Sequence, residues 1–349
     1  MSRFQWGFTL VELMVALLLA MVLITGVGSL YLSTNRTYTL QEELARVQEN
    51  ARTAMDLLVR EIRMSAHSGC PPWVNFANAL YSNDPARQWM AHVDKGISGI
   101  PAGNDTANII DHNALSEAIA LHWIDWENSV SVSSHNTTES IISVAGGHGF
   151  NQGDLLALIA PGCSQISVVI GGADTTASSV SHWAATAGSL YNCTSLIKGH
   201  FNCMDNGKGD DTFGHSDSLL APVVSTAYYI RESNGVPTLY RRRGGETASG
   251  NRHSAEALVE GIEGLRFLYG QDTDGDGIVN QYRSASDIGL FSKGWHDVTS
   301  VKIELLARSF QDVAPEPQPY FFAGVKTTPE DQYIRRAFMA TVGLRNRTK

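Results

Sequence analysis

Most of the signatures that declare a chemistry are missing from this chain. Its 349 residues include only 4 cysteines, Cys70, Cys163, Cys193 and Cys203, and none of them stand in the Cys-x-x-Cys spacing of a structural zinc or a redox pair. No His-Glu-x-x-His occurs, and His148, His182, His200 and His215 read as scattered loop residues. No glycine-rich phosphate loop opens a helix. Positive charge is scarce, with 26 Lys and Arg against 35 Asp and Glu and a net charge of -9. The one compact basic run, Arg241 to Arg243, reads as a solvated strand end or turn, which argues against a nucleic-acid surface. From Pro71 to about Leu220 there is no repeat, low-complexity tract or flexible linker that would set that region apart as an independent domain. What remains, 43% hydrophobic and 17% charged residues, is enough to bury one large core or two small ones.

An even number of cysteines suits two disulfides in an oxidising compartment. Three connectivities are possible. Closing the short loop between Cys193 and Cys203 costs least entropy, which favours that bridge and leaves Cys70 for Cys163.

One long apolar run exists, from Phe8 to Leu32, broken only by small or hydroxyl residues and one acid, Glu12. As a helix it is roughly 37 Å long at about 1.5 Å per residue, enough to cross a hydrocarbon core of about 30 Å. A secretory signal has a shorter apolar region followed by a small-residue cleavage site, a part that Gly26 and Gly28 could mimic. Those two glycines are weak points at which the helix is expected to soften, or sites of small-residue packing between helices. A carboxylate in such a run costs about 2.5 to 3.5 kcal/mol at the bilayer centre, so Glu12 needs a partner.

The sequence Gly7-Phe8-Thr9-Leu10-Val11-Glu12 resembles the processing motif of type IV prepilins. The resemblance implies a leader, residues 1–7, cut after Gly7 by the prepilin peptidase, with N-methylation of the new first residue, Phe8. It also implies that Glu12 neutralises the α-amino group of a neighbouring subunit during assembly. The positive end of an adjacent helix, with its unsatisfied N–H groups, is a suitable partner for such an acid.

Past the membrane-spanning segment, residues 8–32, Leu40, Leu44, Val47, Ala51, Ala54, Leu58 and Ile62 recur at steps of three and four. Polar residues, Glu42, Glu43 and Arg46 among them, lie between. The spacing predicts that the helix continues through 33–68, its stripe under a sheet, until Gly69 and the pair Pro71-Pro72 stop it. Residues 69–349 then form a β-rich head. Its variable part, 69–220, holds apolar runs at Ala118 to Ile124, Ser140 to Val144, Leu155 to Ile159 and Ile166 to Ile170, in part fully buried strands. The C-terminal part, 221–349, predicts strands at Thr226 to Arg231, Thr238 to Arg242, Val259 to Tyr269, Val298 to Ala307 and Ala337 to Leu344. Alternation in Val301-Lys302-Ile303-Glu304-Leu305 buries one face of this sheet against the helix. The fold class is α+β: a long N-terminal helix packed on an antiparallel sheet, the layout of type IV pilins.

Val259 to Gly270, an Asp-rich loop, Trp295 and the closing Phe338 to Arg347 are similar to the PilW family of minor pilins. That resemblance implies a non-enzymatic protein anchored by a single pass in the inner membrane, its head in the periplasm, and incorporated in the pilus. Its implied partners are other minor pilins, the major pilin, the prepilin peptidase, the assembly platform and a PilY-type tip adhesin. The implied role is to prime pilus assembly, in support of twitching motility or adhesion. A type II secretion pseudopilin of the J type shares the leader and helix and is the alternative. A membrane-anchored periplasmic hydrolase is a more distant one.

Two further patterns carry candidate chemistry. Asp272, Asp274, Asp276, the carbonyl of Ile278 and Asn280 fit positions one to nine of a calcium loop, with Gly277 at the sharp turn. Position twelve is Arg283 instead of a bidentate Glu, so an ion would need Asp287 or water. A plain acidic hairpin turn is the bland alternative. Gly214-His215-Ser216-Asp217-Ser218 resembles the start of a hydrolase nucleophile elbow, but its final glycine and preceding buried strand are missing, and a polar loop is the better reading.

Overall fold

The computed structural model describes residues 9–71, 74–103, 116–186, 188–209, 217–246, 253–288 and 294–347. Gly7 and Phe8, the two sides of the expected cut, lie outside the described residues, as do Gly214, His215 and Ser216.

One helix, α1 (Leu10–Met64), runs unbroken through Gly26 and Gly28. It starts in a capping box, with the Thr9 side chain accepting from the Glu12 N–H and the Glu12 side chain accepting from the Thr9 N–H, which satisfies two otherwise orphaned donors. The helix ends earlier than the expected 68. Ser65 is extended and Ala66 takes a φ of 59°, and the Ala66 N–H donates to the His122 carbonyl at 2.8 Å. The chain thus leaves the helix to join a strand before Gly69 or the prolines can act.

The head opens with β1 (Asn75–Asn78), β2 (Leu80–Tyr81), β3 (Ile97–Ile100), β4 (Ala118–Ile124), β5 (Val130–Asn136), β6 (Ile141–Val144), β7 (Leu155–Ile159) and β8 (Gln165–Ile170). Short strands follow, β9 (Ser179–Ser181), β10 (Tyr191–Asn192) and β11 (Phe201–Asn202). Then come β12 (Leu219–Ser233), β13 (Val236–Arg243), β14 (Ala255–Glu260), β15 (Ile262–Gln271), β16 (Gln281–Arg283), β17 (Val298–Asp312), β18 (Tyr320–Phe322), β19 (Val325–Thr327) and β20 (Tyr333–Gly343).

Two main sheets result. A four-stranded antiparallel sheet, in the order β16-β15-β17-β20, receives the helix. The large sheet is organised by β12, whose first residues pair with β5 and β7 while its later ones pair with β4 and β13. Its far side is mixed, because β1 runs parallel to both β8 and β11. Every residue of β7 and β8 is buried, since apolar clusters cover both faces. That explains why their sequences run apolar without alternation.

The expected single strand from Val259 to Tyr269 is two strands. Gly261 takes a φ of 78° between them, and the chain changes sheet there, β14 pairing with β13 and β15 with β17. A Cβ at Gly261 would also sit 3.0 Å from the Arg308 carbonyl oxygen, whereas the glycine N–H donates to the Pro237 carbonyl at 2.8 Å.

The main core lies where α1 meets these sheets. Val47, Ala51, Ala54, Leu58 and Ile62 pack with Leu265, Phe267, Val301, Ile303, Leu305 and Val342, and with Ile119, Tyr228 and Leu239 of the large sheet. Fully burying each Val, Leu or Ile contributes about 1.5 to 3 kcal/mol. Val301, Ile303 and Leu305 are buried and Lys302 and Glu304 less so, matching the alternation of the sequence.

Glu43 departs from the amphipathic reading. It lies on the buried face, 2% exposed, and its Oε2 accepts the N–H groups of Phe310 at 2.8 Å and Gln311 at 3.4 Å. The carboxylate pins the end of β17 to the helix, with Arg46 at 3.8 Å supplying opposite charge.

The cysteines pair as Cys70–Cys163 and Cys193–Cys203, with Cα separations of 5.6 and 6.2 Å. The first spans 93 residues of sequence and ties the segment leaving α1 to the turn after β7. In the chain-entropy model it stabilises the head by about 4 to 5 kcal/mol.

Candidate functional site

The N-terminal half of α1 is the first candidate. Within it Leu10 is 75% exposed, Ile24 71% and Tyr31 70%, and none of its most apolar stretch of 18 residues is buried by the head. Apolar surface of this extent is stable only in lipid or against other helices. Buried positions begin only at Glu43, so α1 has one half for the head and one half for something outside the chain.

Glu12 stands one turn into that outward half. Its Oε2 accepts both the N–H and the hydroxyl of Thr9 at 2.9 Å. In the isolated chain the carboxylate therefore folds back on its own helix start, whose partial positive charge is its compensation among the described residues. A stronger cation brought by a neighbour would compete for the same oxygens.

The second candidate is the loop between β15 and β16. Carboxylate oxygens of Asp272, Asp274 and Asp276 lie within 4.8 Å of one another. The backbone curls around them. The N–H groups of Gly275 and Gly277 donate to the two oxygens of Asp272 at 2.7 and 2.8 Å, and that of Ile278 donates to Asp276 at 2.7 Å. Both glycines take positive φ, 80° and 89°, which the sharp turn requires. Desolvation opposes the charge on Asp272, but the N–H groups of Gly277 and Gly275 outweigh it and hold the carboxyl below its ordinary value. Asn280 closes the loop, its Oδ1 accepting the Thr273 N–H at 2.6 Å and its Nδ2 donating to Asp274 at 3.2 Å.

The remaining expected ligands fare differently. Asp287 is engaged elsewhere, accepting from the Ser284 hydroxyl at 2.8 Å at the start of a short helix, Ala285–Ile288, so it supplies no twelfth-position oxygen. Arg283 lies in β16 opposite Tyr269 and donates to Gln281 at 3.1 Å. The loop offers three carboxylates and an amide, the donor set of a hard cation, and water must complete the coordination.

Of the scattered histidines, His182 is not a loop bystander. It is fully buried, and its Nε2 lies 2.8 Å from the Nε2 of His135. Sequence spacing could not reveal this, because the two residues are 47 positions apart. His122 is buried as well, at 1% exposure.

Residues 5–28 match the family model of the prokaryotic N-terminal methylation motif, and residues 227–346 match that of type IV pilus-assembly protein W. A solved type IV-like pilin from Thermus thermophilus shares 14% identity, over 57% of this chain and 87% of its own. Its TM-score of 0.22 is too low for that fold to bear on this one. No protein of curated function matches the chain. The two matched models thus fall on the start of the outward helix and on the C-terminal strands that hold its inner half.

Proposed function

We propose that this chain, a PilW-like type IV pilin, is a minor pilin that primes pilus assembly and takes a place in the tip complex. The observation that carries the reading is the division of α1: a methylation-motif segment, exposed at each of its described residues, continues into a stripe buried by PilW-type strands. Residues 1–7 are the leader, 8–32 the membrane and assembly segment, 33–68 its continuation into the head, and 69–349 the periplasmic head. The precursor sits in the inner membrane by its single span, is cut between Gly7 and Phe8, and is methylated on Phe8. Assembly is packing and not catalysis. The apolar helix exchanges lipid for neighbouring pilin helices by van der Waals contact, and the Glu12 carboxylate exchanges its own Thr9 for the α-amino group of a neighbour. Other minor pilins, the major pilin and the assembly platform are its partners, with a PilY-type adhesin above it.

Intact-mass measurement on protein from membranes with and without the prepilin peptidase tests the reading. Loss of Met1 to Gly7 plus one added methyl group, seen only with the enzyme, is expected. An uncut chain, or one cut after Gly28, overturns it. Deleting the gene then separates this role from a secretion pseudopilin: surface pili should be lost while exported enzymes still leave the cell.

Calcium is proposed for the loop of Asp272, Asp274, Asp276, Ile278 and Asn280. Three carboxylates so close repel one another unless a cation joins them. Full-length protein in detergent micelles should unfold at higher temperature in calcium than in a calcium chelator. Saturation to about a hundred times Kd stabilises by about 2.7 kcal/mol. The double change Asp274→Asn, Asp276→Asn should erase the difference, and equal melting of the native protein in both buffers disproves the site.

A further inference from the structure

The inner half of α1 buries one side in the head and leaves the other bare. Along that bare side stand Glu42, Arg46, Glu49, Arg52, Asp56 and Arg60, all exposed, at steps of three and four that keep them on one face. Val47, Ala51, Ala54, Leu58 and Ile62, the buried stripe, lie on the opposite face. The signs alternate strictly, acid then base, and only Arg63 at the end of the row repeats one.

Within the chain most of these charges are poorly matched. Arg46 donates to Glu42 at 2.7 Å. Beyond that pair, no ionic contact of the row is shorter than 3.9 Å among the described residues. The Arg52 and Asp56 side chains that make one such contact are 86% and 76% exposed, and Glu49 has no ionic partner among the described residues. The row is open to a partner from outside.

The row is continuous with the apolar outward half, because α1 is one unbroken helix. On the pilin reading, on which this inference rests, all copies enter one membrane in the same direction and are parallel. Two parallel copies face to face and level oppose Glu42 to Glu42 and Arg52 to Arg52, which repels. A shift of three to four residues, about 5 to 6 Å at about 1.5 Å per residue, places each acid of one copy beside a base of the other. Glu42 then meets Arg46, Glu49 meets Arg52 and Asp56 meets Arg60. Single exposed ion pairs are weak, but these act together on helices that a shared membrane already holds side by side. A closed two-fold pair of parallel helices has no shift, so the row selects a staggered contact.

We infer that the outer face of α1 from Glu42 to Arg60 docks on the same face of a second copy of this chain, parallel to it and shifted along the axis by one charge step. The row thereby sets the axial register between the two subunits.

The test co-expresses two differently tagged full-length copies, one with Gln41→Cys and one with Ala45→Cys, in cells that hold the prepilin peptidase. Their membranes are treated with a short thiol cross-linker. Both positions are exposed and uncharged, and the four native cysteines are paired with one another. The mixed product, 41 with 45, should exceed the level products, 41 with 41 and 45 with 45, at least about fivefold. Arg52→Glu in the first copy should cut the mixed product about fivefold, and Asp56→Arg in the second should restore it. Level products in equal or greater amount overturn the inference, as does a mixed product that Arg52→Glu leaves unchanged. Absence of any cross-link in protein that has lost Met1 to Gly7 overturns it as well and leaves the pilin reading standing. If the leader is never cut, the pilin reading fails and the inference falls with it.

Discussion

Glu12→Gln should leave the protein inserted and cut normally yet reduce its amount in sheared pili by tenfold or more, as strongly as Glu12→Leu. Glutamine keeps an oxygen that can accept the Thr9 N–H, now at 2.9 Å, so it preserves the capping box and removes only the charge. An unpaired carboxylate costs about 2.5 to 3.5 kcal/mol at the bilayer centre and less at Glu12, near the start of the span, and on the proposed reading pairing in the assembled bundle recovers that smaller cost. Losing a gain of about 1.4 kcal/mol is already a tenfold shift in a two-state equilibrium. If Glu12→Gln assembles like the native protein while Glu12→Leu does not, the residue acts as a helix cap and the pairing with a neighbouring α-amino group is wrong. Immunoblots of the pilus and membrane fractions distinguish the two outcomes.

Acid should weaken the head steadily from about pH 6.5 downward, before its carboxylates begin to titrate. His122 and His182 are buried, and each has its folded-state pKa lowered to about 3. Desolvation is the main cause, with His92 and Lys95 near His122 and His135 near His182 adding to it. In the unfolded chain both titrate near about 6.5. Between these values the unfolded state binds protons that the folded state refuses. Stability is therefore intact above about pH 6.5, falls as pH drops toward about 3, and stops falling on this account below that. The slope reaches about 1.4 kcal/mol per pH unit for each histidine, several kcal/mol in all. Urea midpoints measured in a metal chelator from neutral pH to about pH 4 should fall steadily, and His122→Gln should flatten the curve. A flat native curve over that interval would show that neither ring is held neutral by burial.

The parts of this molecule that were legible in the sequence are those fixed by neighbours in the chain. The apolar run and the three-four stripe give α1 directly, because lipid span and helix period are local properties. Ala118 to Ile124, interrupted only by His122, and Leu155 to Ile159 declare themselves as strands by short apolar runs, and the structure places β4 and β7 there. The acidic loop is likewise local, its turn made by Gly275 and Gly277 within the motif itself.

What escaped depends on partners distant in sequence. Glu43 looks like an outer-face residue until the ends of β17 arrive to donate two N–H groups to it. Gly261 reads as one glycine within a strand, and only the competing claims of β13 and β17 reveal a change of sheet. The helix outlasts neither Ser65 nor the pull of β4, because Ala66 and His67 find backbone partners in His122 and Ile124. His135 and His182 carry no spacing signal at all; β6 must fold between their strands before the rings can meet.

The Cys70–Cys163 bridge sets how the protein responds to tension. A load applied through α1 reaches Cys70 and then has a covalent shortcut to Cys163, so the strands from β1 to β7 hang on a closed loop that carries no force. The slack between the helix end at Met64 and the bridge is a few residues only. With the bridge reduced, the 93-residue separation becomes part of the load path, and the unravelled chain could extend by roughly 300 Å. In an oxidising compartment the head is a short, stiff link, whereas a reducing one would turn the same head into a long tether.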